Sequence, residues 1–102
     1  MLIYVAHRYG GDPCNIQRAR QIVHNLQISD TDNTYVCPLL ALSSLEYGEL
    51  NYDDEMELCL DLLMVCEKII VASEISNGVA REIELANRIN MEVSYLEDAR
   101  SV

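Results

Sequence analysis

Short apolar runs alternate with longer amphipathic segments along this chain. The run Leu2–Ala6 ("LIYVA") is continuous and rich in β-forming residues, which predicts a buried strand. Asp12 and Pro13 then suit the cap and the first position of a helix, and apolar residues recur at helical spacing to about Ile28. Residues 34–37 ("TYVC") predict a second strand, which Pro38 ends.

The second half of the chain repeats this alternation. Residues 53–67 start with acidic side chains, as the helix dipole favours, and are then apolar nearly all round, which predicts a largely buried helix. Residues 68–73 ("KIIVAS") predict a third strand, 77–90 a helix, and 91–96 ("MEVSYL") a fourth strand. Residues 38–51 mix apolar residues and helix formers with a serine pair and a glycine. A connection of this length is expected to cover a site or to meet a partner chain.

This order of elements predicts the fold class. Strands that alternate with helices form an α/β fold: a small three-layer open parallel sheet of about four strands with helices on both faces, flavodoxin-like or Rossmann-like. The 102 residues form one domain, spanning 1–102, with room for a real core.

The composition narrows the range of partners. The chain has 17 Asp and Glu against 7 Lys and Arg, a formal charge of −10, which argues against a nucleic-acid polymer or an anionic membrane as partner. A small phosphorylated ligand remains compatible, because backbone N–H groups at a helix start can hold a phosphate. The opening apolar run is too short for a signal peptide, and the four cysteines have no C-x-x-C pair. We therefore expect reduced thiols and a cytoplasmic location.

Two glycine-containing turns indicate where a ligand binds. In an open parallel sheet, ligands bind beyond the carboxyl ends of the strands. The turn "HRYGGDP" after the first strand offers His7, Arg8, Gly10 and Gly11, and "SEISNG" after the third offers Ser76, Asn77 and Gly78. Any turn needs glycine, so either one alone is weak. Neither turn matches a P-loop or a dinucleotide fingerprint, and no His, Cys and Asp cluster has metal-ligand spacing, so we expect no cofactor and no metal.

One acidic residue falls where the packed face of a helix is expected. The helical neighbours of Glu82, three and four residues away, are all apolar or small: Gly78, Val79, Leu85 and Ala86. A buried carboxylate must be hydrogen-bonded, raised in pKa or functional. The alternative is a surface glutamate at the edge of the apolar stripe.

Two further residues are candidates with simple structural alternatives. Asp61 is the only charged residue between Leu58 and Cys66, although it also fits a narrow solvent stripe along the helix. Tyr4 alternates within the first strand and suits the core, but its hydroxyl would then need a partner.

These residues resemble a known family. Tyr4 with "HRYGG", followed by "ISNGVAREIELA" read as S-x-G-x-x-x-E-x-x-x-A, resembles the nucleoside 2-deoxyribosyltransferase-like superfamily over nearly the whole chain. The closer resemblance is to a branch of small bacterial and phage proteins of unassigned function.

The resemblance implies an activity and a set of roles. Glu82 would be the nucleophile on the sugar C1′, Tyr4 would position it, and Ser76 and Gly78 would face the sugar or phosphate. Relatives have a carboxylate on the preceding helix that assists the departing base; its position falls near Leu58 or Cys59, and Asp61 is the nearest acid. The expected function is a nucleoside or nucleotide N-glycosidase or 2-deoxyribosyltransferase, and the alternative is a non-catalytic nucleotide-binding or sensing module. Relatives complete their sites across subunits, which implies a homodimer or larger homo-oligomer.

Overall fold

The computed structural model describes residues 1–96, and its strands and helices alternate along the chain. They are β1 (Leu2–Ala6), α1 (Pro13–Ser29), β2 (Thr34–Val36), α2 (Pro38–Ala41), α3 (Tyr52–Met64), β3 (Lys68–Val71), α4 (Asn77–Arg88) and β4 (Glu92–Tyr95). The predicted alternation of strands and helices is therefore confirmed. The short helix α2 is the one element that the sequence pattern did not define.

The strands form a single parallel sheet in the order β2-β1-β3-β4. In the register of the sheet, Tyr4 of β1 lies between Val36 of β2 and Ile69 of β3. All pairs are parallel, which confirms the predicted α/β class. Because β1 and β3 are the two inner strands, residues at their carboxyl ends lie side by side in the middle of the sheet.

Helices cover both faces of the sheet, as predicted. One face packs against α3 and α4 through Tyr4, Ala6, Ile69, Val71, Leu63, Val79 and Ala86. The other face packs against α1 and α2 through Val5, Ala19, Cys37 and Ala72, with partly buried side chains around them, most of them leucines. Side chains alternate between the two faces along β1, since successive residues of a strand point in opposite directions.

Polar side chains cap the starts of the three long helices. The Asp12 carboxylate accepts a hydrogen bond from the Cys14 amide at the start of α1, which confirms its predicted capping role. Asn51 accepts from the Asp54 amide at the start of α3, and Ser76 accepts from Val79 at the start of α4. Each cap satisfies an amide that the helix itself leaves without an acceptor.

Several predicted element ends shift by a few residues. β2 stops at Val36 because Cys37 becomes the cap of α2, with Pro38 at the first helical position. α3 stops at Met64 rather than 67, where a turn carries the chain directly into β3. β3 stops at Val71, because the next residues turn away at the sheet edge.

The prediction of a largely buried α3 is wrong. Only Met56 and Leu63 are buried, whereas Leu58, Met64 and Val65 at its outer side are exposed. The helix packs on the sheet and on α4, and no other element of residues 1–96 covers its opposite side. That side also carries the exposed acids Glu57 and Asp61, so it is a mixed surface and not part of a core.

Among the described residues, no helix combines the length and hydropathy that crossing a membrane requires.

Two leucines of α3 provide a matched test of this packing. Leu63 is fully buried and Leu58 is 38% exposed. We predict that Leu63→Ala lowers the free energy of unfolding by about 2–5 kcal/mol, since it leaves a cavity in the core. Leu58→Ala, the same substitution on the same helix, should change it by less than about 1 kcal/mol. Urea denaturation followed by circular dichroism measures both, and equal losses would contradict the assigned packing.

Candidate active site

A cavity opens at the carboxyl ends of β1 and β3. The connection after β1 leads to α1 on one face of the sheet, and the connection after β3 leads to α4 on the other face. Ligands of open α/β sheets bind where neighbouring connections diverge in this way. The cavity has a volume of about 320 Å³, at the small end of the range for ligand sites, roughly 300–1,000 Å³.

Most of the residues predicted from the two glycine turns line this cavity. They are His7, Arg8, Gly10, Ser76, Asn77 and Gly78, and Glu82 of α4 lines the cavity as well. Gly11 lies behind Tyr47, and Tyr4 lies beneath Glu82 in the core. Asp61 is exposed on α3, and the structure does not bring it to the cavity. The solvent-stripe interpretation therefore describes Asp61 correctly.

The Glu82 carboxylate is buried at the cavity floor. It is 4% exposed, and the Tyr4 hydroxyl donates a hydrogen bond to its Oε2. Val79 and Ala86 lie on the same side of α4 and pack on the sheet, which places Glu82 directly against β1. Among residues 1–96 no buried side-chain oxygen lacks a partner, yet Oε1 receives no hydrogen bond. Oε1 therefore contacts the open space of the cavity.

Burial is the largest cause of the pKa shifts of both Glu82 and Tyr4. It raises the pKa of Glu82 to about 7, although the hydrogen bond from Tyr4 opposes the rise. Burial and the neighbouring carboxylate also raise the pKa of the Tyr4 phenol, so Tyr4 stays a protonated donor. The Ser76 hydroxyl accepts a hydrogen bond from the Val79 amide and so caps α4 rather than contacting Glu82. At neutral pH the carboxyl group of Glu82 is therefore present in both protonation states.

Two thiols near the carboxylate remain neutral. Burial, with Glu82 and Glu55 nearby, raises the pKa of Cys59 to about 12. Burial raises the pKa of Cys37 to about 11, and Glu82 contributes. A thiol is a weak nucleophile in its protonated form. Cys59 therefore lines the cavity as a neutral thiol, and Cys37 lies in the core on the α1 face of the sheet.

One stripe of α3 lines the cavity, and the sequence did not single it out. Tyr52, Glu55, Met56 and Cys59 follow the spacing of a helix face. The acid in this stripe, Glu55, belongs to the acidic first turn that suits the helix dipole. One turn beyond Cys59, the stripe continues to Leu63, which is buried. The helical spacing of Met56, Cys59 and Leu63 is therefore the sequence signal that marks this face of α3.

The segment 38–51 folds back over the chain's own cavity. Pro38, Leu39, Leu42, Leu45 and Tyr47 line it. The Tyr47 ring lies edge-on to Tyr9, with 5.3 Å between centroids. Gly11 has φ +79°, and a Cβ on it would lie 2.8 Å from a Tyr47 ring carbon. Glycine is thus required both for the backbone and for the ring above it.

Hydrogen bonds from Arg8 tie the ends of β1 and β3 together. Its amide donates to the Ser73 hydroxyl at 2.8 Å, and its guanidinium pairs with Glu74 at 2.9 Å. His7 is buried, with Nδ1 2.7 Å from the Arg8 carbonyl oxygen, and burial lowers its pKa. His7 is therefore neutral, and the charge of Arg8 is already matched by a carboxylate at the rim.

The pKa of Glu82 predicts a specific pH dependence of stability. The folded state holds this proton more tightly than the unfolded chain, whose value is 4.5 against about 7. The free energy of unfolding of wild type, compared with that of a variant with a neutral side chain at position 82, is therefore highest below pH 4.5. It falls as the pH rises toward and through 7. Between these limits, wild type should lose about 3 kcal/mol relative to Glu82→Gln.

Denaturant unfolding at pH 4.5 and pH 8 measures this difference. Glu84→Gln is the control, because Glu84 lies on the same helix but is exposed and pairs with Arg88 at 2.8 Å. The stability of Glu84→Gln relative to wild type should change by less than about 1 kcal/mol over the same range. A pH-independent difference between wild type and Glu82→Gln would show that Glu82 is solvated.

Comparisons with known proteins add no assignment to this geometry. A scan against protein-family models found no model that matches the chain, and a search of curated proteins found no match either. Among the described residues, no group of three or more His, Cys, Asp and Glu is placed to hold a metal ion. The interpretation of the site therefore depends on its own residues.

Proposed function

We propose that the cavity binds a nucleoside or nucleoside monophosphate and that Glu82 cleaves its N-glycosidic bond. The observation that carries this proposal is a buried carboxylate, held by Tyr4 at one oxygen and open to the cavity at the other. The resemblance of the residues around Glu82 to nucleoside 2-deoxyribosyltransferases supplies the substrate class. The glycosyl group is then transferred either to water or to a second base.

In this proposal each oxygen of Glu82 has its own role. Tyr4 orients the carboxylate through Oε2, which leaves Oε1 to attack C1′ while the C1′–N bond breaks and its electron pair leaves with the base. The transition state resembles an oxocarbenium ion, and a glycosyl-enzyme ester follows, as in retaining glycoside cleavage. Water or a second base then attacks C1′ and restores the carboxylate. The attack requires the ionised form of Glu82.

Glu55 is the best-placed acid for the leaving base. It lines the cavity from α3, half-buried, one turn before Cys59. It is also close enough to the Cys59 thiol for its charge to raise the pKa of that group. An acid that protonates the departing base must lie at the cavity wall, where Glu55 lies and Asp61 does not.

The remaining walls suit a base and a phosphate. The rings of Tyr9, Tyr47 and Tyr52 line the cavity and give a base apolar surface to stack on. The first amides of α4, at Asn77 and Gly78, have no acceptor within the helix and suit an anion. A Cβ on Gly78 would lie 3.3 Å from the Met56 sulfur, so glycine keeps this wall open.

One observation favours the alternative, a module that binds a nucleotide without cleaving it. Burial raises the pKa of Glu82 to about 7, so at neutral pH a large fraction of the carboxyl groups is protonated. A protonated carboxyl group donates a hydrogen bond to a ligand and does not attack C1′. Both functions use the same cavity and differ only in the chemistry of Glu82.

Release of free base from deoxynucleosides and their 5′-monophosphates tests the enzymatic proposal. We predict release by wild type that rises with pH through about 7 as Glu82 ionises, and a loss of roughly a thousandfold or more in Glu82→Gln. Glu55→Gln should slow release, whereas Asp61→Asn and Glu84→Gln, which change exposed acids, should not. Chromatography of the base measures each rate.

The same incubations separate the alternatives. Thermal stabilisation by a nucleotide without base release would support the binding module. Release that persists in Glu82→Gln would contradict the role of Glu82. A protein that neither binds nor cleaves these compounds would contradict both proposals.

We also propose that the chain forms a homodimer or larger homo-oligomer through the exposed side of α3. Leu58, Met64 and Val65 are between 38% and 60% exposed there. Burying such side chains in an interface is favourable, since apolar surface leaves water.

Light scattering at micromolar concentration tests this surface. We predict a mass of at least two chains for wild type and a shift toward one chain for Val65→Lys, which replaces an exposed apolar side chain of this surface with a charged one. Ile28→Lys changes another exposed apolar residue, 71% exposed on α1, and should leave the mass unchanged. A monomeric wild type would contradict the proposal.

A further inference from the structure

A second cavity lies on the opposite face of the sheet. Its volume is about 540 Å³, and it opens between α1 and the carboxyl ends of β1 and β3. His7 and Arg8 border both cavities, while Arg18, Ile22 and Leu26 of α1 line only the second one. The function proposed above does not use this cavity.

His7 presents an unpartnered nitrogen to the second cavity. Tyr4 and Ala6 belong to the core on the α3–α4 face and Val5 to the core on the α1 face, so alternation directs His7 toward α1. The side chain is 4% exposed, and its Nδ1 lies 2.7 Å from the Arg8 carbonyl oxygen. A neutral ring that donates from Nδ1 has an unprotonated Nε2, which accepts hydrogen bonds.

The Nε2 atom must be in contact with open space. No hydrogen bond to it exists within residues 1–96, and no buried side-chain nitrogen there lacks a partner. Arg18, which lines only the second cavity, is near enough for its charge to lower the pKa of His7. His7 and Arg18 therefore border the same cavity and are close enough to interact.

Arg18 is a cation without a carboxylate. Among the described residues it forms no ion pair, in a chain whose formal charge is −10. The neighbouring Arg8, by contrast, pairs with Glu74 at 2.9 Å. The free positive charge at this cavity therefore belongs to Arg18.

The rest of the cavity combines an apolar floor with one amide donor. Ile22, Leu26, Ala72 and Leu96 form apolar surface. Asn25 accepts from Gln21 through its Oδ1 at 3.0 Å, which leaves its N–H groups for a ligand. Ser73 offers no free donor, because its hydroxyl already donates to the Glu74 carbonyl oxygen.

We propose that the second cavity binds a small molecule with an apolar body, one carboxylate and one hydroxyl group. The carboxylate pairs with Arg18 and the Asn25 amide, the hydroxyl donates to His7 Nε2, and the body covers the apolar floor. A single carboxylate fits better than a phosphate, since one unpaired cation is present and the carboxylate of Glu74 stands at the rim.

Titration of the ¹⁵N-labelled full chain with mandelate, a phenyl-bearing hydroxy acid, tests this site. We expect saturable shifts of the amides of Ile22, Leu26 and Ala72 at millimolar probe, with a change in the His7 Nε2 signal. Mandelamide lacks the charge and phenylacetate lacks the hydroxyl, so each should bind roughly tenfold more weakly. Inorganic phosphate should produce no saturable shift at these amides.

Two arginines of α1 give the matched variants. Arg18→Gln should weaken mandelate binding roughly tenfold. Arg20→Gln changes an exposed, unpaired arginine of the same helix that does not line the cavity and should leave the affinity unchanged. Both side chains are exposed, so neither variant threatens the fold.

Several outcomes would overturn the proposal. They are the absence of saturable shifts with mandelate, equal affinity in Arg18→Gln, and equal binding of mandelamide. Shifts confined to Ser76 and Gly78 would place the probe in the first cavity and would also overturn it. None of these outcomes bears on base release by Glu82, so the two proposals are tested independently.

Discussion

The hydrogen bond between Tyr4 and Glu82 is the interaction on which the candidate site depends. A carboxylate in the core costs several kcal/mol unless a polar group compensates it, and the Tyr4 hydroxyl is the donor that reaches it. The bond joins the central strand β1 to α4 and so sets the position of the helix whose start forms one cavity wall. Because the compensation is partial, the carboxyl group keeps a raised pKa and an oxygen that faces the cavity. The same desolvation that weakens the fold thus makes Glu82 chemically distinct from the exposed glutamates.

The order of the strands explains why there are two cavities and why they share a wall. The connections after β1 and β3 leave to opposite faces, so each face has a hollow at the same edge of the sheet. His7 and Arg8 stand between the hollows, and the bonds from Arg8 to Ser73 and Glu74 close the gap between the strand ends. The two sides differ in charge: the first contains the carboxylates of Glu55 and Glu82, and the second contains the unpaired Arg18.

Site residues that were predicted correctly are placed by contacts between neighbours in the chain. Those that were missed are placed by contacts between distant segments. Ser76 and Gly78 follow a strand and open a helix, and Glu82 occupies the apolar face of that helix, so local periodicity places all three. Asp61 and Glu55 lie on one helix and look equally plausible as acids in the sequence. Which of them meets the cavity depends on how α3 rotates against α4 and the sheet, and Met56 and Leu63 set that rotation by packing inward. The segment 38–51 has no clear period, and its path over Gly11 follows from the contact of Tyr47 with that turn.

The sequence alone determined the α/β class, the order of strands and helices and the capping role of Asp12, and it marked Glu82 as a candidate for burial while a surface position stayed open. These features follow from interactions between residues near one another in the chain: hydrophobic periodicity, turn chemistry and helix capping. Only the tertiary structure decided that Tyr4 is the partner of Glu82, that α3 contributes Glu55 rather than Asp61, and that His7 faces a second cavity beside Arg18. Those relations join residues up to 78 positions apart, and they depend on strand register and helix rotation, which no local pattern encodes.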